Sequence, residues 1–132
     1  MAAPKVIWFE HEKLDVYQKA IAFVALVSPL LEGLVRAGDV RDQFDRASTS
    51  IPLNIAEGNG KYTQKDRCRF FDNAHGSALE CAGGLDILVA KQKLTLDQTR
   101  PGKERVQRIV RMLMGLIKKN STREYRKGKP VD

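Results

Sequence analysis

The sequence has few residues of the kinds that cross-link chains, coordinate metals or stack on bases. Its 132 residues include two cysteines, two histidines and one tryptophan, and aromatic residues make up 7% of the chain. Cys68 and Cys81, if they share a helix, lie about 20 Å apart, which is beyond the reach of a disulfide bond. Two separate cysteines and two scattered histidines do not form a zinc-binding pattern, so the sequence predicts no metal and no cofactor.

Long apolar runs are also absent. The longest mostly apolar run, Ala20 to Leu31, has twelve residues and includes Ser28 and Pro29, whereas a membrane-spanning helix needs about 20 residues. The first residues, MAAPKVIWFEHEK, lack the apolar stretch of a secretory signal. We therefore expect one cytoplasmic domain without a membrane span, long enough to bury a single core.

Positive charge is the feature in which the sequence is rich. The chain has a formal net charge of +7, and the charge is unevenly placed. Residues 1–60 contain 6 Lys/Arg and 8 Asp/Glu, whereas residues 61–132 contain 17 Lys/Arg and 8 Asp/Glu. Such a concentration of positive charge indicates a polyanionic partner such as RNA or DNA, although a well-solvated basic surface would show the same composition.

Apolar residues recur at helical spacing in four segments, and no segment shows the alternation of a strand. Gly58-Asn59-Gly60 predicts the end of the second helix, and Pro101-Gly102 indicates a loop before the fourth. The predicted fold class is all-α, an antiparallel up-and-down four-helix bundle over residues 12–120. The predicted helices cover about residues 12–36, 40–57, 64–93 and 103–120, with an N-terminal arm at 1–11 and a basic flexible tail at 121–132.

The first predicted helix carries two neighbouring rows of apolar residues, whereas a surface helix normally has one stripe. A face that wide needs several neighbours, which can include another subunit. The third helix carries glycines and other small residues, which lower helix propensity and would let another helix pack closely. The rows predicted to face the core are Val40, Phe44, Ala47, Ile51 and Ile55 in the second helix, and Phe70, Ala74, Ala78, Cys81, Leu85 and Leu88 in the third.

The fourth predicted helix has the clearest amphipathic pattern, with apolar residues on one side and basic residues on the other. Basic side chains can bind phosphates as point charges and as forked donors. Tyr125 is the one aromatic residue near them, so we expect recognition of the nucleic-acid backbone without base stacking. The predicted nucleic-acid-binding residues are Arg105, Arg108, Arg111, Lys118, Lys119, Arg123, Arg126 and Lys127, and Lys61, Lys65 and Arg69 form a second, smaller basic row.

The sequence does not contain the residue patterns of known catalytic sites, and it predicts a protein that is not an enzyme. Asp72 and His75 have the i, i+3 spacing of half a di-iron site, but a second acid–histidine pair is absent. The serines have no evident histidine and acid to activate them. A metal site made by Asp72, His75 and Glu80 is the least supported hypothesis.

Four separate runs carry a resemblance to a known family. They are Leu14-Asp15-Val16-Tyr17, the run SIPLNIAEG from Ser50 to Gly58, Gly76-Ser77 with Glu80, and Arg111-Met112-Leu113 with Gly115-Leu116-Ile117. With these runs the sequence resembles the small four-helix-bundle proteins encoded in intervening sequences of bacterial 23S ribosomal RNA genes. It departs from the pattern at Pro29, around Pro101 and at Met114.

This resemblance implies a ring, typically a homopentamer, and no enzymatic activity. The family is similar to the accessory variability determinant of diversity-generating retroelements, a basic ring-forming protein that works with a reverse transcriptase. The leading hypothesis is therefore a non-enzymatic ring that binds the backbone of RNA or DNA, as an accessory to a ribonucleoprotein or a reverse transcriptase. The alternative hypothesis is a protein-interaction scaffold whose basic face binds an acidic protein partner.

Overall fold

Four long α-helices make up most of the chain. The computed structural model describes residues 6–34 and 38–121, and of residues 124–126 and 129–131 it describes the backbone. A short 3₁₀-helix at Glu10–Lys13 precedes the first α-helix, and two short strands pair antiparallel within the predicted tail. The elements are α1 (Asp15–Glu32), α2 (Gly38–Asn59), α3 (Gln64–Ala90), α4 (Leu96–Asn120), β1 (Glu124–Arg126) and β2 (Lys129–Val131).

The helices form an up-and-down bundle. Around the bundle, α1 packs against α2 and α4, and α3 packs against the same two helices on the other side. The hydroxyls of Ser50 and Ser77 are 2.9 Å apart between α2 and α3, and Lys103 of α4 bonds Asp86 of α3. Residue numbers rise along one helix where they fall along its neighbour, so adjacent helices are antiparallel. The predicted fold class is confirmed.

The core consists of one apolar row from each helix. In α2 the predicted inward residues are buried, apart from Val40, which is half-buried near the start of the helix. In α3 the prediction of Phe70 was wrong, because Phe71 is the buried ring and Phe70 is half-buried with Lys61 and Arg69 over its face. The largest fully buried side chains are Phe23, Phe44, Phe71, Ile51, Ile55, Leu85, Leu88, Ile109 and Leu113.

The fourth helix begins at Leu96, seven residues before the predicted start at 103, so the predicted loop around Pro101 was wrong. Thr95 and Gln98 form a capping box in which each side chain accepts a hydrogen bond from the other residue's backbone N–H, at 3.1 and 2.9 Å. Pro101 lies in the second turn, where its missing N–H removes one backbone hydrogen bond, the one to the carbonyl of the exposed residue Asp97. Thr95 and Gln98 therefore determine where α4 begins.

Polar side chains supplement the backbone hydrogen bonds of α2 around Pro52, which lies inside the helix. The hydroxyls of Ser48 and Thr49 both donate to the carbonyl of Asp45, and the amide of Asn54 donates to the carbonyl of Ser50 at 2.9 Å. A proline inside a helix removes one backbone hydrogen bond. The helix nevertheless continues to Asn59, near the end predicted from Gly58-Asn59-Gly60.

Gly58 has a packing role in addition to its position near a helix end. A Cβ atom at this position would lie 2.7 Å from Cε1 of Phe71 and 3.0 Å from Cβ of Phe70. The backbone of Gly58 does not need the left-handed conformation, which among the described residues occurs at Gly38 and Gln92. At the end of the SIPLNIAEG run, α3 therefore packs so closely against α2 that a side chain larger than that of glycine would clash.

Gly58→Ala is expected to destabilise the fold by about 1–3 kcal/mol, because the added methyl group would overlap a buried aromatic ring. Urea unfolding followed by circular dichroism measures this change. Gly60→Ala is the matched control, since its Cβ atom would have its nearest neighbour at 3.5 Å, an ordinary contact. Equal effects of the two substitutions would contradict the packing role of Gly58.

Candidate nucleic-acid interface

The outer side of α4 carries the five basic residues that the sequence predicted for this helix. The helix is fixed in rotation by its buried residues Val106, Ile109, Leu113 and Ile117, which face the core between α1 and α3. At 3.6 residues per turn, the predicted basic residues of the helix lie within an arc of about 140° on the opposite side. All five are exposed, and together they are called the basic face: Arg105, Arg108, Arg111, Lys118 and Lys119.

The charges of the basic face are not neutralised within the part of the chain that the structure describes. Its five side chains make no ion pair and no hydrogen bond with other described residues. The ion pairs of α4 involve other residues, Arg100 with Asp97 at 3.8 Å and Lys103 with Asp86. Glu104 is the one acidic side chain between Lys103 and the end of the helix. The surface therefore presents a positive potential to any approaching anion.

A groove of about 480 Å³ separates the basic face from α1. Arg105 and Arg108 line it from α4, together with Pro101 and Glu104. Lys19 lines it from α1, where its ammonium also lies 3.4 Å from a carboxylate oxygen of Asp15. The sequence pattern does not reveal Lys19 as part of this groove, because only the antiparallel packing of α1 against α4 brings it beside these arginines.

The second basic row lies in a different environment. Lys65 and Arg69 line a groove of about 800 Å³ beside the start of α3, but Asp66 and Asp72 line the same groove. Lys61 and Arg69 stand over the ring of Phe70, at 4.9 and 5.0 Å from its centroid. Opposite charges in one groove cancel at a distance, so this region attracts a polyanion less than the basic face does.

The side chains of the three predicted tail residues are not among the described parts of the chain. Arg123 and Lys127 lie outside the described residues. Arg126 belongs to β1, and its backbone alone is described.

The residues of the metal-site hypothesis do not form a centre in the described ranges. Asp72 is exposed on α3 and His75 is half-buried one turn further along. Across residues 6–34 and 38–121, no three His, Cys, Asp or Glu side chains are placed to hold a metal ion. In the same ranges, none of the helices is long and apolar enough to cross a membrane.

The fold and the basic face define a class of small four-helix-bundle proteins with one strongly cationic helix. The sequence matches the family described as 23S rRNA-intervening sequence protein over residues 12–115, and the chain belongs to this family. The resemblance carried by the SIPLNIAEG run and the three other runs is thereby confirmed.

A solved structure shows the same fold. It is a protein of unknown function from the S23 ribosomal protein family of Bacteroides thetaiotaomicron, similar to this chain with a TM-score of 0.74 and 24% sequence identity. The similarity covers 78% of this chain and 98% of that chain. No curated protein sequence matches this chain.

Cys81 is a buried thiol in the middle of the bundle. Burial raises its pKa from the ordinary value of 9.0 to about 12, and the negative charge of Glu80 beside it acts in the same direction. The thiol is therefore protonated at neutral pH. A protonated, inaccessible thiol is a poor nucleophile.

The wild-type protein and Cys81→Ala differ in their free energy of unfolding. We expect the wild-type value to fall relative to the variant's value as the pH rises from about 9 toward 12. In that range the unfolded chain loses the thiol proton while the native state keeps it, so unfolding becomes easier by up to about 1.4 kcal/mol per pH unit. Denaturant unfolding of both proteins at several pH values measures the difference. A difference that stays constant with pH would show that burial does not hold the proton on Cys81.

Proposed function

We propose that this protein is a non-enzymatic accessory protein that binds the sugar-phosphate backbone of RNA or DNA through the basic face of α4. The observation that carries the proposal is the set of five exposed cations on one side of one helix, none of which forms an ion pair with another described residue. From Arg105 to Lys119 the basic face is about 21 Å long, which matches about six phosphates along one strand of a duplex at 3.4 Å each.

Recognition of the backbone fits the chemistry of this face better than recognition of bases. Lysine and arginine side chains contact phosphates irrespective of sequence, and base-specific reading of single strands relies on aromatic stacking. No aromatic side chain lies on α4, whose exposed uncharged positions near the cations include Met114 and Gly115. We therefore expect binding that varies strongly with salt and weakly with sequence.

Assembly into a ring is the second part of the proposal. Ile21 is 41% exposed on α1, between the half-buried residues Tyr17 and Val24, and the N-terminal segment exposes Trp8 by 79%. Apolar surface of this kind favours contact with another copy of the chain. A homopentamer, the state that the family resemblance implies, would repeat the basic face and raise the avidity for a long polyanion. An accessory role beside a reverse transcriptase or another ribonucleoprotein component belongs to the same proposal.

Arg108→Glu with Arg111→Glu is expected to weaken binding to labelled RNA and duplex DNA, because two phosphate contacts are replaced by repulsion. The slope of log K against log salt should become shallower by about 0.7 to 0.9 for each lost contact. Fluorescence anisotropy at several salt concentrations measures both quantities.

The matched control is Arg41→Glu with Arg46→Glu on α2, which makes the same change in net charge at two exposed positions away from α4. If both double variants lose the same affinity, net charge alone governs binding and the assignment to α4 is wrong. Nuclease-resistant capture of an acidic protein, with no binding to nucleic acid, would favour the scaffold alternative.

Static light scattering is expected to give a mass of about 74 kDa, five times the 14.8 kDa of one chain. Ile21→Asp should lower this mass, because it places a charge on the apolar surface of α1 between Tyr17 and Val24. The control is Gln43→Asp, at an exposed polar position of α2, which should leave the mass unchanged. A wild-type mass of a single chain would refute the ring.

A further inference from the structure

Gly115 lies near the centre of the basic face. Its neighbours on the helix surface are Arg111 at i−4, Lys118 at i+3 and Lys119 at i+4, with the half-buried Met112 at i−3. Arg108 follows one turn further toward the start of the helix. The glycine is exposed, and no atom of the described residues would lie within 4 Å of a Cβ built on it, apart from its chain neighbours and the backbone of its own turn.

The fold gives no reason for a glycine at this position. Glycine is the least favourable helix residue after proline, and Gly115 lies inside α4, five residues before its end at Asn120. Its backbone is not left-handed. Gly102 of the same helix differs, because a Cβ there would lie 3.2 Å from a methyl carbon of Leu85, so close packing accounts for it.

We propose that Gly115 is a binding site for a backbone phosphate of RNA or DNA. The space left by the missing side chain forms the site, and four cations surround it. This inference rests on the proposed function. Without a Cβ atom, a phosphate oxygen can approach the helix more closely, and the ends of Arg111, Lys118 and Lys119 can converge on it. Coulomb attraction rises as the distance falls, and it rises further where water is excluded.

The charges around Gly115 favour a phosphate over a helix of a second copy. An apolar helix packed against this position would bury cations without partners, which is strongly unfavourable, whereas a phosphate would pair with them. Gly76 of α3 provides the contrast. It is equally exposed and open, but its neighbours are Asp72, Leu79 and Glu80, which do not attract an anion.

The test compares Gly115→Ala with Gly76→Ala, since both replace an exposed, open glycine inside a helix. Both variants are expected to raise the Tm, because alanine has the higher helix propensity. Only Gly115→Ala is expected to weaken binding to labelled polyuridylate RNA and to duplex DNA, raising the Kd by about three- to tenfold. A more stable protein that binds less tightly is a result that a merely structural role would not give.

Each other outcome overturns the inference in a recognisable way. If Gly115→Ala binds like the wild type while the double variant Arg108→Glu with Arg111→Glu does not, the basic face binds nucleic acid without a phosphate-binding site at Gly115. If both glycine variants lose the same affinity, the loss comes from helix stability or assembly. If the wild type does not bind RNA or DNA at low salt, both the proposed function and the phosphate-binding site at Gly115 are wrong.

Discussion

The free-energy cost of burying an unpaired charge determines the rotation of α4 about its axis in the bundle. Its apolar row must enter the core between α1 and α3, and the remaining surface of the helix then faces water. Arg108 and Arg111 lie about 140° and 160° around the helix axis from the buried Leu113, so no rotation of the helix could bury the apolar residues and hide the cations. The same constraint that completes the core thus collects five positive charges on one exposed face. Folding and the proposed binding use opposite sides of one helix.

The glycines inside the helices include two kinds, those packed against a neighbouring helix and those with open space beside them. Gly58 and Gly102 lie where a neighbouring helix comes so close that a methyl group would meet Phe71 or Leu85. Their low helix propensity is offset by close packing inside the bundle. Gly115 and Gly76 have the same low propensity and no such neighbour. The charges near these two glycines differ in sign, and the proposed phosphate contact would account for Gly115 alone.

The sequence predicted the four helices, their order and the basic face of α4, because apolar periodicity and charge are local properties of a chain. It failed where two local signals competed. Pro101-Gly102 indicated a loop, but the capping box of Thr95 and Gln98 starts the helix before the proline. In α3, adjacent phenylalanines both fitted a helical row, and the packing of Phe71 with Cys68 and with Ile117 of α4 shows which of the two is buried. Lys19 joins the arginines of α4 through packing between helices, which periodicity within one helix does not reveal.

The proposed assembly through Ile21 and the proposed binding through the basic face are compatible, because Ile21 and the basic face lie on different flanks of the bundle. On α1, Ile21 is two residues from Lys19, a rotation of about 200° around the helix axis. Lys19 lines the groove shared with α4, so Ile21 lies on the flank of α1 away from that groove. Copies that meet through Ile21 and the segment around Trp8 would leave Arg105 and Arg108 open to solvent. Assembly would then add basic faces to one particle without covering any of them, and avidity would rise with each added copy.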